Sequence, residues 1–150
     1  MGHQVTAPVE FFVPMPKPVG KARARVTSRG TFTPAATKAA ERKVQAYAKG
    51  ALRFLGLDKP LEGQLMASID LNYPIPASWS QKRRLDALSG STRPTVRPDA
   101  DNAAKLVLDA CNGLIYRDDA QIVSLQVEKW YVHDHDAGVR VVITPPRRNA

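Results

Sequence analysis

The sequence is short of cysteine, of long apolar runs and of acidic charge. Cys111 is the one cysteine among 150 residues, so no internal disulfide can form and a reducing cytoplasm is the expected compartment. The apolar runs are too short to span a bilayer, and the N-terminus lacks the charged start and apolar core of a signal peptide. We therefore expect one domain over residues 1–150, without a membrane partner and with flexible tails at 1–6 and 145–150.

The shortage of acidic residues leaves a strongly basic chain. There are 14 Asp and Glu residues against 22 Lys and Arg, which gives a formal net charge of +8 and a pI near 9.9. Such a balance favours an anionic partner, with nucleic acid first and an acidic membrane surface second.

The acidic residues are concentrated where the charge is otherwise positive. The segment RPDADNAAKLVLDACNGLIYRDD, residues 97–119, holds Asp99 and Asp101, then Lys105, then the pair Asp118 and Asp119. Three or four carboxylates at one place repel each other unless a cation lies between them, and hard oxygen ligands suit Mg²⁺ or Mn²⁺. A basic protein with such a centre suggests chemistry on a polyanion.

Hydrophobic periodicity predicts a mixture of strands and helices. Alternation predicts strands at 9–13, 64–73, 121–131 and 139–143, and three- and four-residue spacing predicts helices at 34–55 and 101–112. Thr33 is the expected N-cap of the first helix, with Pro34 at its first position. Ser78 or Ser80 is expected to begin a short helix, and residues 133–138 are expected to turn the last two strands into a hairpin.

The first acidic pair has two interpretations. Asp99 or Asp101 can cap the helix that follows, and Asp101 can form an ordinary ion pair with Lys105 one turn later. The alternative is a shared metal site. The helix carries the chain about 18 Å away, but Asp118 and Asp119 precede a strand that can return alongside, so we expect both pairs at one end of the sheet.

A metal site of this kind can hydrolyse a phosphodiester. The reaction needs an activated water, neutralisation of charge on the phosphoryl oxygens and stabilisation of the leaving alkoxide. One or two divalent ions held by aspartates can supply the first two. Lys105 can add a positive charge at the transition state or leaving group, or can merely offset the carboxylates.

Basic residues on either side are candidates for DNA contact. Lys21, Arg23 and Arg25 fall at every second position, so an extended chain would place them on one face, ahead of a turn at Arg29. A solvated edge strand is the other reading of this strip. Arg93 and Arg97 lie in a Ser-, Thr- and Pro-rich loop before the acidic segment.

Three further features have structural explanations that we favour. The run His133–Asp136 resembles a metal cluster but occupies an expected turn, and Cys111 is expected to be a packed helical residue. Trp79, Trp130 and Tyr131 can stack on bases, although packing is the usual role of such aromatics. Whether Asp70 or Glu128 joins the acidic centre is left open.

At these residues the sequence resembles the RusA family of Holliday-junction resolvases, which are magnesium-dependent endodeoxyribonucleases. The resemblance runs from PMPKPVGKARARVTSRGTFTPAAT through RPDADNAAKLVLDACNG to IYRDDAQIVSLQVEKW. It implies that Asp99, Asp101 and Asp119 bind the metal, with Asp118 the less certain member of its pair, and that Lys105 is the catalytic lysine. It also implies an α/β (α+β) fold, with a small mixed sheet of about four strands packed with two to three helices, and a homodimer acting on four-way DNA junctions. The setting would be a bacterium or a phage-infected cell.

The sequence thus supports one main hypothesis and two others. The first is an enzyme that cuts branched DNA with Mg²⁺, for which Mn²⁺ would substitute. The second is a non-catalytic basic DNA-binding module whose carboxylates are caps and surface acids. The third is a metal-dependent nucleotide phosphohydrolase, which the wide cationic strip disfavours.

Overall fold

The computed structural model describes residues 7–22, 25–32 and 34–146 and, for Arg25 and Phe32, the backbone alone. Within these ranges the order of elements is β1 (Val9–Pro14), β2 (Arg25–Thr27), β3 (Gly30–Phe32), α1 (Ala35–Phe54), β4 (Leu65–Pro74), α2 (Gln81–Leu88), α3 (Ala100–Cys111), β5 (Ile122–Val132) and β6 (Gly138–Thr144). Of the two predicted tails, 1–6 and 145–150, residues 1–6 and 147–150 lie outside the described residues.

A four-stranded mixed sheet forms the frame, in the order β1, β6, β4, β5. The strands β6 and β1 are antiparallel, as are β6 and β4, whereas β4 and β5 are parallel. The predicted hairpin between the last two strands is therefore wrong. A 3₁₀ turn at Asp134–Asp136 does redirect the chain, but β6 crosses past β4 and is inserted between β4 and β1. There, both of its edges are paired, which suits its apolar sequence.

One face of the sheet is covered by α1 and α3. Every second residue of β4 is buried, as period-two alternation requires of a strand with one covered face. The core side chains come from β1, β4, β6 and the two helices, and include Val13, Val44, Ile69, Leu106 and Val141. These are the residues whose periodicity predicted the elements, so the predicted α+β architecture is confirmed.

The helix boundaries follow local sequence. The N-cap of α1 is Pro34, one position later than the predicted N-cap, Thr33, which lies outside the described residues. Ser80 caps α2 by accepting a hydrogen bond from the backbone N–H of Arg83. Gly113 follows α3 with a φ of 75°, a conformation that favours glycine at a helix end. No described helix combines the length and apolarity needed to cross a membrane.

The direction of α3 decides where the acidic residues lie. Its first turn is tied to the C-terminal end of β4, where the Tyr73 hydroxyl donates to the carbonyl of Pro98 at 3.0 Å. Beyond its last turn, Gln121 donates to the carbonyls of Leu61 and Gly63, just before β4 begins. The helix thus runs antiparallel to β4 and β5, as the connection between two parallel strands must.

Candidate active site

The start of α3 carries two carboxylates without a structural role. Asp99 occupies the N-cap position, yet its side chain makes no capping hydrogen bond. Asp101 lies in the first turn and is exposed. Among the described residues, neither side chain takes part in a hydrogen bond or ion pair. An aspartate at an N-cap ordinarily accepts from a backbone N–H, so the capping explanation of this pair is wrong.

Lys105 lies one turn after Asp101 and is exposed. Within the described part of the chain, its ammonium group is not within ion-pair distance of a carboxylate, so the predicted pair with Asp101 does not form. The face that carries Asp101 and Lys105 is therefore a polar surface with unused charges. Both groups are therefore accessible to a ligand.

A lysine lies close enough to Asp99 to feel its charge. Lys129, on β5, donates to the carbonyl of Val96 at 2.6 Å, and its ammonium lies 5.1 Å from the centre of the Tyr73 ring. Burial, assisted by the charge of Asp99, raises the pKa of Tyr73 to about 12, while burial lowers the pKa of Lys129. The Tyr73 hydroxyl thus remains protonated at neutral pH and holds the turn that positions Asp99.

A glycine allows the segment before β2 to lie against this end of α3. The backbone N–H of Lys21 donates to the carbonyl of Asn102 at 3.1 Å. A Cβ on Gly20 would lie 2.7 Å from the Cβ of Pro98, closer than side chains approach, and 3.4 Å from the Cβ of Asn102. Residue 20 therefore has to be glycine for this contact, which buttresses the acidic turn.

The second acidic pair lies at the other end of α3. The backbone N–H of Asp119 donates to the side chain of Asn112, the C-cap residue, at 2.9 Å. Asn112 follows Asp101 by eleven positions, which places their Cα atoms about 16 Å apart at the rise of an α-helix. The expectation that both pairs meet at one end of the sheet within one chain is thus wrong. It failed because β5 begins at the N-terminal end of β4, whereas α3 begins at the opposite end.

The two members of the second pair differ. Asp118 caps the 3₁₀ turn Asp119–Gln121: its side chain accepts from the backbone N–H of Ala120 at 3.0 Å, and its backbone N–H donates to the Gln121 side-chain oxygen at 3.1 Å. The bond from Ala120 lowers the pKa of Asp118, whereas the adjoining Asp118 carboxyl raises the pKa of half-buried Asp119. In the described residues no group of three or more His, Cys, Asp or Glu side chains is placed to hold one ion.

A buttress that the sequence did not reveal lies between these ends. The Lys21 ammonium donates to the Asp109 carboxylate and is 3.8 Å from that of Glu41 on α1. The hydrogen bond to Asp109 raises the pKa of Lys21. The only signal of this role was that Asp109 follows Asp101 and Lys105 at four-residue steps, on the same side of α3.

The predicted basic strip is only partly visible. Lys21 precedes the hairpin and is engaged by Asp109, so it does not extend the alternation of β2. Arg23 and the side chain of Arg25 lie outside the described residues. Arg29 is exposed in the β2–β3 turn, and Arg97 is exposed beside Pro98.

Aromatic and basic side chains combine around the C-terminal half of β5, at the same end as Asp99. The Arg83 guanidinium lies 3.9 Å from the Trp79 ring centre, and Trp79 meets Tyr131 edge-on at 4.9 Å. Arg93 lies 3.7 Å from the Trp130 ring centre and pairs with Glu128 at 3.0 Å. We call Trp79, Arg83, Arg93, Trp130 and Tyr131 the aromatic–arginine cluster. Sequence reasoning named four of these residues but not Arg83 as a partner.

The remaining candidates have structural roles. Cys111 is fully buried, and burial raises its pKa to about 12, so it does not supply a thiolate. His133 and His135 stack in an exposed turn. Asp70 accepts a hydrogen bond from the Trp130 indole at 3.3 Å, and Glu128 is paired with Arg93, so neither joins the acidic turn.

The chain is similar to one bacterial protein over part of its length and to one protein family over nearly all of it. A stretch of 73 residues is 42% identical to "Uncharacterized protein YqaN" of Bacillus subtilis (strain 168), and it covers 47% of this chain and 51% of that protein. The chain thus spans about half the length of this relative. The family described as "Endodeoxyribonuclease RusA" matches residues 5–144, which include every described strand and helix. The chain belongs to the RusA endodeoxyribonuclease family.

Proposed function

We propose that this protein is a Mg²⁺-dependent endonuclease that resolves Holliday junctions in DNA recombination and repair, as a homodimer that nicks two strands symmetrically. Family membership supports a nuclease acting on branched DNA. The observation that carries the metal-dependent part is the pair Asp99 and Asp101, whose carboxylates serve neither as a helix cap nor in an ion pair with Lys105.

The residues at the start of α3 fit a magnesium ion. Mg²⁺ commonly keeps several waters and binds one or two carboxylates together with substrate phosphates. Asp99 and Asp101 supply two such oxygen ligands, exposed and free of competing donors in the described structure. Asp119, at the other end of α3, is too far from this ion within the same chain and would join it only from the second subunit of the proposed homodimer. Mn²⁺, with the same preference for oxygen, would substitute.

A bound ion would activate water and neutralise charge on the phosphoryl oxygens. The chain's own residues do the rest. Lys105, one turn from Asp101 and without an ion-pair partner among the described residues, would supply a positive charge to the leaving oxygen as it becomes negative. Tyr73 and Gly20 fix the turn that carries Asp99, so the carboxylates keep their position when DNA binds.

DNA binding would involve the same end of the sheet. Arg97 is exposed beside the acidic turn, and the aromatic–arginine cluster flanks it. Guanidinium groups bind phosphates, and an aromatic ring can stack on a base that is unpaired at the branch point. Arg29 in the hairpin turn, together with Arg23 and Arg25, would extend the basic surface, whereas Lys21 is already paired with Asp109.

The test is cleavage of a synthetic four-way junction and of a linear duplex of the same length, with and without Mg²⁺. We expect symmetric cuts in the junction alone, only when the ion is present. Asp99→Asn should abolish cutting while leaving junction binding intact, and Asp58→Asn, at an exposed acid in the connection between α1 and β4, should change neither.

Two outcomes would reject the proposal. Salt-sensitive junction binding without any metal-dependent product would identify a non-catalytic basic DNA-binding module. Release of phosphate from free nucleotides, with the junction uncut, would identify a phosphohydrolase instead.

A further inference from the structure

The segment between α2 and α3, residues 89–99, brings the chain to Asp99. It contains no helix or strand, most of its residues are exposed, and Pro94 is its one buried residue. We call it the connecting loop. An exposed loop without secondary structure is held in place only by the contacts that it makes with more rigid elements, so these contacts decide where Asp99 enters α3.

Lys129 holds the last part of the connecting loop. It pairs in register with the buried Leu71, so its side chain projects from the face of the sheet that α1 and α3 cover. Its ammonium donates to the Val96 carbonyl at 2.6 Å and lies 5.1 Å from the centre of the Tyr73 ring. Because Tyr73 donates in turn to the Pro98 carbonyl, Lys129 contacts both the chain just before Asp99 and the side chain that holds it.

Arg93 holds the earlier part of the same loop. Its Nε donates to the Lys129 carbonyl at 2.8 Å, and its guanidinium pairs with Glu128 and covers the Trp130 ring. Gly90 lies against that ring, where a Cβ would approach to 3.3 Å. The connecting loop is thus attached at two places to one stretch of β5, residues 128–130. These contacts give Arg93, a predicted DNA contact, a role before any DNA binds.

The position of Lys129 is unfavourable for a charged side chain. Burial lowers its pKa, and the charge of Asp99 opposes this shift in part. Its neighbours on the same face of β5, Val127 and Tyr131, pack against the hydrophobic core, so an apolar residue would suit position 129. A partly desolvated charge needs compensating hydrogen bonds, and the one that Lys129 makes is to the connecting loop.

We infer that Lys129 is a positioning residue: by holding the Val96 carbonyl it fixes the connecting loop and keeps Asp99 where it can share a metal ion with Asp101. Arg93 acts on the same loop from its other end. This inference rests on the proposed function, because it takes Asp99 and Asp101 as metal ligands. It does not require Lys129 to touch the ion or the DNA.

Position and charge make opposite predictions for the removal of Lys129. By charge alone, the loss of a cation near Asp99 should strengthen the binding of a divalent ion, since like charges repel. By position, the loss of the hydrogen bond to Val96 frees the connecting loop, so that Asp99 spends less time beside Asp101 and metal binding weakens. The sign of the change therefore identifies the role of Lys129.

The test is Mn²⁺ binding to the protein without DNA, followed by the loss of the free-ion electron paramagnetic resonance signal. In Lys129→Met, which keeps a long side chain without charge or donor, the dissociation constant should rise about three- to tenfold, less than the 10- to 100-fold for a direct partner of a metal ligand. The Mg²⁺ concentration that gives half-maximal junction cleavage should rise by the same factor. Lys129→Arg, which can still donate to the carbonyl, should restore most of the affinity.

Two controls separate this effect from loss of charge and of stability. Lys59→Met removes the same charge from an exposed residue between α1 and β4 and should leave Mn²⁺ binding unchanged. Tyr116→Phe removes a hydrogen bond to Leu108 at the far end of α3 and should lower the melting temperature without weakening Mn²⁺ binding.

A second variant tests the loop independently. Arg93→Met breaks the contacts with Glu128 and with the Lys129 carbonyl, and it should weaken Mn²⁺ binding in the same direction. In both loop variants, hydrogen exchange of the Val96 and Arg97 amides should be faster than in the wild type, at temperatures where thermal melts show that each is folded.

The outcomes separate this inference from the proposed function. Unchanged or tighter Mn²⁺ binding by Lys129→Met would overturn the positioning role, while Mg²⁺-dependent cleavage by the wild type would leave the proposed function standing. A wild type that bound no Mn²⁺ and cut no junction would reject the proposed function itself. Weaker binding by Lys129→Met that Lys129→Arg restores, with Lys59→Met unchanged, would support both.

Discussion

The two ends of α3 bear the same kind of side chain in opposite circumstances. At the N-terminal end, Asp99 and Asp101 are exposed and accept no hydrogen bond from the described residues. Towards the C-terminal end, Asp109 binds the Lys21 ammonium and Asp118 caps a 3₁₀ turn. An aspartate without a local partner, in a basic protein, is a better candidate for function than one that the fold already uses.

The largest effect on cleavage should come from removing one carboxylate at the N-terminal end of α3. Asp101→Asn should lower junction cleavage by more than about 100-fold, since even outer-shell partners of a metal contribute 10- to 100-fold. Its melting temperature without metal should stay unchanged or rise slightly, because no hydrogen bond is lost and the repulsion from Asp99 is relieved. Cleavage rates and thermal melts of the same preparation measure both.

Asp109→Asn is the matched change towards the C-terminal end of α3. It should reduce stability by about 1 kcal/mol through the loss of the half-exposed pair with Lys21, and it should leave cleavage largely intact. If Asp109→Asn abolished cutting without destabilising the fold, the distinction between the two ends would be lost.

The next effect concerns how the C-terminal end of α3 is held. The fully buried Tyr116 donates its hydroxyl proton to the Leu108 carbonyl at 2.6 Å, in the last turn of the helix. Tyr116→Phe leaves that acceptor buried without this donor and should cost about 1–3 kcal/mol. For a chain of this size each kcal/mol lowers the melting temperature by about 2–4 °C, so calorimetry would resolve the shift.

The same substitution at the other end should act differently. Tyr73→Phe also removes a hydroxyl donor, but its acceptor, the Pro98 carbonyl, lies in the turn that carries Asp99. We expect a smaller change in melting temperature than for Tyr116→Phe and a larger loss of cleavage. Equal losses of stability and activity in the two variants would contradict this assignment.

The elements of the fold could be predicted from local sequence, but their order in the sheet could not. Local periodicity located the described strands of the main sheet and the two long helices, and a capping serine located α2. The alternation of β1, β4 and β6 reflects a buried face, whereas β5 has no buried residue. Periodicity could not order the strands, since the insertion of β6 between β1 and β4 depends on partners distant in sequence. The predicted hairpin failed for that reason.

The candidate site could likewise be predicted only where its residues are close in sequence. Asp99, Asp101 and Lys105 were found because they lie within seven consecutive residues. The contact of Lys21 with Asp109 joins residues 88 positions apart, and the four-residue spacing of Asp109 from Lys105 does not identify Lys21 as the partner. The separation of Asp119 from Asp101 followed from the direction of α3 relative to β5, which neither segment encodes alone.

A substitution at Gly20, which packs against the N-terminal end of α3, should have an intermediate effect on activity. Gly20→Ala would bring a methyl group to 2.7 Å from the Cβ of Pro98, so the segment before β2 must shift away from the first turn of α3. We expect a severalfold loss of cleavage and a small loss of stability. Gly50→Ala, on α1, meets no atom within 4 Å and should be neutral or slightly stabilising.

The smallest effect should come from the aromatic–arginine cluster, and it concerns binding rather than cutting. If the exposed Arg83 contacts a DNA phosphate, Arg83→Gln should weaken junction binding a few-fold and reduce the slope of log K against log salt by about one. Arg140→Gln is the matched control, because Arg140 is already engaged by Glu10 across the β1–β6 pair. A salt slope unchanged by Arg83→Gln would mean that this arginine serves only to pack against Trp79, and the DNA surface would then have to lie on the hairpin and the Arg97 loop.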